Sequence, residues 1–249
     1  IETVFYPIDW CDILEITEST NLKQPFRLKQ TGLSINGNSE DNILYKTYLL
    51  IKELKKLPNL TVHLHKIIPM GAGLGGGSSN AAFFINYLNN VYQLNLTEIE
   101  LNNITSKLGA DCAFFLKNKP VFAKGIGNLL KPITINLNQY YIVLIYPNIH
   151  SDTKIAYSKV TPIQPIDDLK QNIETLNLNQ WKNTISNSFE ESIYSNYPKI
   201  KELKDYLYEK QAIYASLSGS GSTVFGIFDH LPSLTLPTNY LIHIQLPNG

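Results

Sequence analysis

Between Ile68 and Ala82 the chain reads IPMGAGLGGGSSNAA: an apolar stretch and a proline, five glycines within seven positions, then two serines and an asparagine. Glycines let a backbone take positive φ and come close to a ligand. Where a helix follows such a loop, the N–H groups of its first turn lack partners and sit at the positive end of the helix dipole. The segment therefore reads as a cradle for an anion such as phosphate. The alternative is a glycine stretch that only permits close packing or a flexible turn, but linkers rarely end on a helix cap.

The flanks fit a strand–loop–helix unit. Leu60-Thr61-Val62-His63-Leu64-His65 alternates apolar and polar residues like a half-buried strand, and Pro69 ends the run. After the loop, Ala81, Phe84, Ile85, Leu88 and Tyr92 recur at helical spacing, with Ser78, Ser79 or Asn80 as candidate caps.

With 249 residues, 43% of them hydrophobic, the chain can bury a large core and is expected to form two domains. Lysine plus arginine equals aspartate plus glutamate at 21 each, so no basic field favours nucleic acid or an anionic membrane. Small molecules are the expected partners. Cys11 and Cys112 are too few and too far apart for a disulfide framework or a paired metal site, which suits a reducing cytoplasm. No apolar run approaches the roughly 18 residues that span a bilayer.

The pattern predicts β structure from Ile1 to Ile16 with a turn near Asp9 to Asp12, and a strand pair over Phe26 to Ile35 around Thr31-Gly32. Helices are expected from Asn42 to Leu54 and, from the Thr97-Glu100 capping box, to Leu108, with Gly109 at the C-terminal end. Short strands follow over Phe115 to Ile133, and Pro132 to Gln139 is the expected boundary, placing domains at 1–138 and 139–249. In the second half, Tyr140 to Tyr146 reads as a buried central strand. Helical patterns follow over Asp152 to Ser158, Ile173 to Leu176, Trp181 to Tyr194 and Pro198 to Lys210. Ala212 to Phe228 reads as strand, glycine turn, strand, and Tyr240 to Gln245 as a last strand.

Gly71, Gly73 and Gly76 satisfy G-x-G-x-x-G, yet the acidic residues about 20 positions on, Glu98 and Glu100, sit in the first turn of a capped helix rather than at a strand end. A Walker loop would continue with Lys and then Ser or Thr; here the sequence is Gly77-Ser78-Ser79-Asn80. The H-R-D and D-F-G tripeptides of protein kinases are absent.

Pro69 to Ala82 instead resembles the glycine-rich second signature of the GHMP kinases, in the PMGxGLGGGSSNAA form of the members that phosphorylate a cytidine-diphospho sugar alcohol. Glu40-Asp41-Asn42 resembles the family's E-D-N, Leu108-Gly109-Ala110-Asp111 its L-G-A-D, and Phe122 to Gly127 its A-x-G-x-G. Ser218 to Phe225 resembles its third signature. The resemblance implies an α+β, two-domain GHMP kinase fold, with an N-terminal domain like domain 2 of ribosomal protein S5 and a ferredoxin-like C-terminal domain. It further implies ATP and Mg²⁺, transfer of the γ-phosphoryl group to the sugar alcohol's 2-hydroxyl in non-mevalonate isoprenoid biosynthesis, a cytoplasmic setting, and a monomer or weak homodimer.

In that frame Asp111 is the expected base for the attacking hydroxyl; the alternative is a helix cap. Lys66, Pro69, Met70, Gly71, Ala72, Gly73, Leu74, Gly75, Gly76, Gly77, Ser78, Ser79 and Asn80 are the expected nucleotide contacts, Lys66 being alternatively a solvated surface lysine. Gly219, Ser220 and Gly221 form an expected substrate-side glycine turn, or else an ordinary hairpin. Asn42 is an adenine-side candidate or a cap. No carboxylate cluster has metal-ligand spacing, so no metal ligand is assigned. His63 and His65 read as structural, and Phe189, Tyr194 and Tyr197 as core rather than a base-stacking platform.

The family pattern also has a P-A-K-I-N-L strand, whose lysine lies near the phosphoryl group, and a G-Y-H that recognises cytosine. Ile1-Glu2-Thr3 resembles the stretch just after them, so one strand and one turn are expected upstream, and activity of the sequence as it stands is not assumed. Asn128 replaces a common glutamate after A-x-G-x-G. Two other readings stand beside the kinase: a nucleotide-binding homologue without transfer, and a GHMP kinase for another alcohol such as homoserine or mevalonate.

Overall fold

The strand predicted to lead into the glycine loop is β4, Leu60–Lys66, in a computed structural model that describes residues 1–19, 25–35, 37–151, 156–157, 160 and 168–247. Leu60, Val62 and Leu64 are buried on one face, as strict alternation requires. β4 is the middle of a three-stranded sheet, antiparallel to β2 (Ile13–Glu18) and parallel to β3 (Phe26–Gly32). β1 (Glu2–Phe5) joins a different sheet, pairing antiparallel with β5 (Val121–Lys124), which pairs with β6 (Leu129–Pro132).

The strand pair expected over Phe26 to Ile35 is one strand. Gly32, at φ 80°, ends β3 instead of turning it into a hairpin, and the strand finds its partner in β4. Among the described residues the α-helices that accompany these sheets are α1 (Ile43–Leu54), α2 (Gly76–Val91), α3 (Glu98–Leu108) and α4 (Cys112–Lys117). Asn42 caps α1, its Oδ1 accepting from Leu44 N at 2.9 Å. The predicted capping box of α3 is present, with Thr97 and Glu100 bonded reciprocally. Because α4 occupies Cys112–Lys117, the strand structure expected from Phe115 begins only at Val121. Leu44, Tyr48, Ile51, Phe84, Ile85 and Leu88 from α1 and α2 pack with Leu60, Val62 and Leu64 into the core of this unit.

Contacts divide the chain into two units. The first holds 1–7, 11–70 and 75–132; the second holds 8–10, 71–74 and 133–249. In the second, β7 (Tyr141–Tyr146), β8 (Tyr214–Leu217), β9 (Val224–Phe228) and β10 (Leu241–Gln245) form an antiparallel sheet in the order β10-β7-β9-β8. That is the strand order of a ferredoxin-like sheet, although the segment from 229 to 240 that joins β9 to β10 contains no helix. β7 is nearly all buried, as its unbroken apolar run demands.

Helices α5 (Leu169–Thr175), α6 (Leu178–Thr184), α7 (Glu190–Asn196) and α8 (Pro198–Glu209) lie in sequence between β7 and β8. The single helix predicted over Trp181 to Tyr194 is therefore two, broken around Asn187. The helix predicted over Asp152 to Ser158 falls largely outside the described residues. Phe189, Tyr194 and Tyr197 pack against the core of this unit, consistent with the core reading. Among the described residues no helix is long and apolar enough to cross a membrane.

Candidate functional site

Helix α2 begins at Gly76, and the residue before it, Gly75, is left-handed at φ 64°, ψ 19°. A side chain there would be strained, and a Cβ would lie 2.8 and 2.9 Å from Cε2 and Cζ of Phe115. Gly75 also has no side chain with which to cap α2. Among the described residues nothing accepts a hydrogen bond from the N–H of Gly76, Gly77 or Ser78, so the first turn of a 16-residue helix presents unpartnered donors.

The glycines that open α2 differ in their surroundings. A Cβ on Gly76 would lie 3.0 Å from Ile68 Cγ2 and 3.1 Å from Lys66 Nζ, so close packing alone requires glycine there. A Cβ on Gly77 would have nothing within 4 Å. Space is therefore open beside Gly77 in the first helical turn.

Asp111 faces that turn. Its Oδ2 is 3.9 Å from the position of a Cβ on Gly75, and its Oδ1 is 3.7 Å from that on Gly127. Although Asp111 immediately precedes α4, its side chain makes no capping bond, so the cap alternative fails. The carboxylate has no hydrogen-bond or ion-pair partner among the described residues. Burial pushes its pKa up from the ordinary carboxylate value. A half-buried carboxylate without a donor is costly, and a group perturbed in this way is a candidate for a functional site. Cys112, next to it, has its thiol pKa raised mainly by burial, partly opposed by a hydrogen bond with Ser78.

Lys66 ends β4 with a side chain 1% exposed, paired with an equally buried Asp12. It is not a solvated surface lysine. Asp12 Oδ2 meets the ammonium, while Oδ1 accepts from Ile67 N at 2.7 Å and Ile68 N at 2.8 Å. One carboxylate thus pins the chain where the strand turns into the loop. Burial lowers the Lys66 pKa, and the hydrogen bond and charge of Asp12 oppose that shift. Nothing in the sequence signalled Asp12, which pairs across 54 positions and belongs to no spacing pattern. Phe115 was likewise missed as the neighbour of Gly75.

The preceding part of the loop, Gly71–Leu74, groups with the second unit. There Ser218 Oγ donates to Gly73 O at 2.8 Å, and Thr223 N donates to Ala72 O at 3.1 Å. In a trans peptide the C=O and the next N–H point opposite ways. Pinning the Ala72 and Gly73 carbonyls therefore turns the N–H groups of Gly73 and Leu74 away from the Ser218–Thr223 turn. Gly73, at φ 75°, leaves no room for a side chain, since a Cβ would run into Ser218 O and Gly221 O.

Of the other expected contacts, Pro69, Ala72 and Asn80 are buried, Met70 is exposed, and Leu74, Ser78 and Ser79 are half-buried. In the second glycine turn Gly219 is exposed, Ser220 half-buried and Gly221 buried. Asn128 Oδ1 accepts from Ile126 N at 3.3 Å, closing the turn before β6. Thr31 Oγ1 lies 2.8 Å from His63 Nε2 and 2.9 Å from His65 Nδ1, which places both histidines in sheet hydrogen bonding. Among the described residues no group of three metal-ligating side chains converges.

Residues 42–119 match the family model described as GHMP kinases N terminal domain, and 166–234 match GHMP kinases C terminal. The chain is 47% identical over 235 residues to a 4-diphosphocytidyl-2-C-methyl-D-erythritol kinase of Bacteroides fragilis, covering 94% of this chain and 85% of that one. It resembles a crystal structure of 4-(cytidine 5'-diphospho)-2C-methyl-D-erythritol kinase with TM-score 0.72 and 26% identity, covering 91% of this chain and 80% of the other. It also resembles a homoserine kinase structure from Cytophaga hutchinsonii with TM-score 0.66 and 16% identity, covering 100% and 95%, a likeness of fold alone. The chain belongs to the GHMP kinase family, and within it to the 4-diphosphocytidyl-2-C-methyl-D-erythritol kinases.

Proposed function

We propose that this protein is an ATP-dependent kinase that phosphorylates the 2-hydroxyl of 4-diphosphocytidyl-2-C-methyl-D-erythritol, a step of non-mevalonate isoprenoid biosynthesis, in the cytoplasm. The proposal assigns residues 1–138 to an ATP-binding domain and 139–249 to a C-terminal domain. The observation that carries it is the half-buried carboxylate of Asp111, without a partner among the described residues, beside the first turn of α2.

Phosphoryl transfer asks the protein mainly to position the reactants and to stabilise spread negative charge. The amides of Gly76, Gly77 and Ser78, with those of Gly73 and Leu74, are assigned to the terminal phosphate oxygens. Asp111 accepts the hydroxyl proton as the oxygen attacks, and the raised pKa of its carboxyl makes it a stronger base. The residues fit a nucleotide polyphosphate: the donors are unpartnered, and no Cβ fills the space in front of Gly77. Mg²⁺ bound with ATP would neutralise phosphate charge, and the hydroxyls of Ser78 and Ser79, which lie next to these amides in sequence, would be the residues to hold it. The Gly219-Ser220-Gly221 turn is assigned to the substrate side.

The test is ADP release from Mg·ATP by the full-length protein with the cytidine-diphospho substrate, run beside homoserine and mevalonate. Turnover confined to the cytidine-diphospho compound is the expected result. ATP binding without ADP release from any of the three would replace this reading with that of a nucleotide-binding homologue.

A further inference from the structure

The glycine turn Ser218–Ser222 is braced from behind by the short segment that separates α6 from α7. Asn187 Nδ2 donates to Leu217 O at 2.9 Å and to Gly219 O at 2.7 Å, so one amide group ties the strand end to the turn. Its Oδ1 meanwhile accepts from Phe189 N at 2.9 Å, which fixes the amide's orientation. Three residues on, Glu190 Oε1 accepts from Leu217 N and Ser216 Oγ, both at 3.0 Å, and Oε2 pairs with Lys204 at 2.6 Å. Leu217 is thus held at both its N–H and its C=O by side chains from one four-residue stretch. From the next residue, Ser218, the hydrogen bond runs to Gly73 O, and a Cβ on Gly219 would lie 3.4 Å from that same oxygen.

We infer that Asn187 is a positioning residue for the kinase reaction: through Leu217 and Gly219 it sets the turn that pins the Gly73 carbonyl, and so aims the Leu74 N–H at the nucleotide. The inference rests on the glycine loop being the phosphate site. Asn187 is assigned no contact with ATP or the alcohol; its bonds run to Leu217, Gly219 and Phe189, and it acts through the turn.

Asn187→Asp is the informative substitution, because aspartate keeps the Oδ acceptor for Phe189 N while replacing the two donated bonds with a charge facing two carbonyls. The experiment measures kcat and both KM values for the wild type, Asn187→Asp, Ser218→Ala and the double variant. Calorimetric titration with Mg·ATP runs alongside. The expected result is a KM for ATP raised about three- to tenfold with a smaller change in kcat. The double variant should be no worse for ATP than the poorer single one, since both changes break the same chain of bonds. A folded Asn187→Asp protein whose ATP affinity stays within about twofold of wild type overturns the inference, as do fully additive effects. Should that variant fail to fold, Asn187→Ser, too short to bridge both carbonyls, is read by the same criteria. Failure of the wild type itself to transfer phosphate, with ATP still bound, would count against the kinase reading and leave the Asn187 test readable from the calorimetric affinities.

Discussion

Asp12 and Lys66 meet as an ion pair in which both side chains are 1% exposed, and the same carboxylate takes the N–H groups of Ile67 and Ile68. Removing one member of such a pair strands its partner's charge out of water. Asp12→Ala should therefore cost about 3–5 kcal/mol in urea unfolding. Lys66→Met should cost less, because Asp12 retains two amide donors and the methionine fills the space. Equal losses from the two substitutions, or less than about 1 kcal/mol from Asp12→Ala, would mean that water reaches the pair.

Asp111→Asn tests the proposed base directly. It should lower kcat by about 10²-fold or more while leaving ATP affinity nearly unchanged. Wild-type turnover from this variant would remove Asp111 from the chemistry.

The raised Asp111 pKa has two pH signatures. Between the ordinary aspartate value, about 3.9, and the higher native one, the folded protein holds more protons than the unfolded chain. Stability therefore falls as pH rises through that window, and the loss persists at neutral pH. Asparagine carries no such penalty. Its Tm should exceed that of wild type at pH 7, and the gap should close below about pH 4. In wild type, kcat/KM should drop on the acid side with a midpoint above the ordinary carboxylate range. A Tm gap that is independent of pH would contradict the origin assigned to the shift.

Gly75 and Gly77 should respond in opposite ways to alanine. Gly75→Ala combines a left-handed φ with a Cβ against the Phe115 ring, so it should destabilise the fold by at least about 1 kcal/mol. Gly77→Ala adds a methyl in open space at a helical position, where the change from glycine stabilises by up to about 1 kcal/mol. If phosphate occupies that space, the same methyl should weaken ATP binding. A rise in Tm together with a rise in KM for ATP is the expected pair of readings. Unchanged ATP affinity would take Gly77 out of the phosphate contacts.

What could be read from the sequence was what depends on neighbours along the chain. The loop-to-helix unit, the Thr97–Glu100 box and the buried strand of Tyr141–Tyr146 rest on local spacing, and all three are present. Partners chosen across long separations were not legible. Nothing near Phe26 announces parallel pairing with β4, and Gly32 looks like a hairpin centre until that partner is known. The six residues of α4 are too short for periodicity to separate helix from strand. Asn187 interrupts an apolar pattern that otherwise continues at helical spacing, because its amide is engaged 30 residues away. The site divides in the same way: Asp111 and the glycines stand in a motif, whereas Asp12 and Phe115 are defined only by what they touch.

The peptide planes at Gly73 and Leu74 are oriented by Ser218 and Thr223 before any ligand arrives, so the loop's polarity is established when the chain folds. Main-chain donors set in this way respond to oxygen geometry and charge and have no means of distinguishing purine from pyrimidine. If these donors hold the phosphates, inorganic tripolyphosphate should compete with ATP for them, and any preference for adenosine is then imposed by other parts of the molecule.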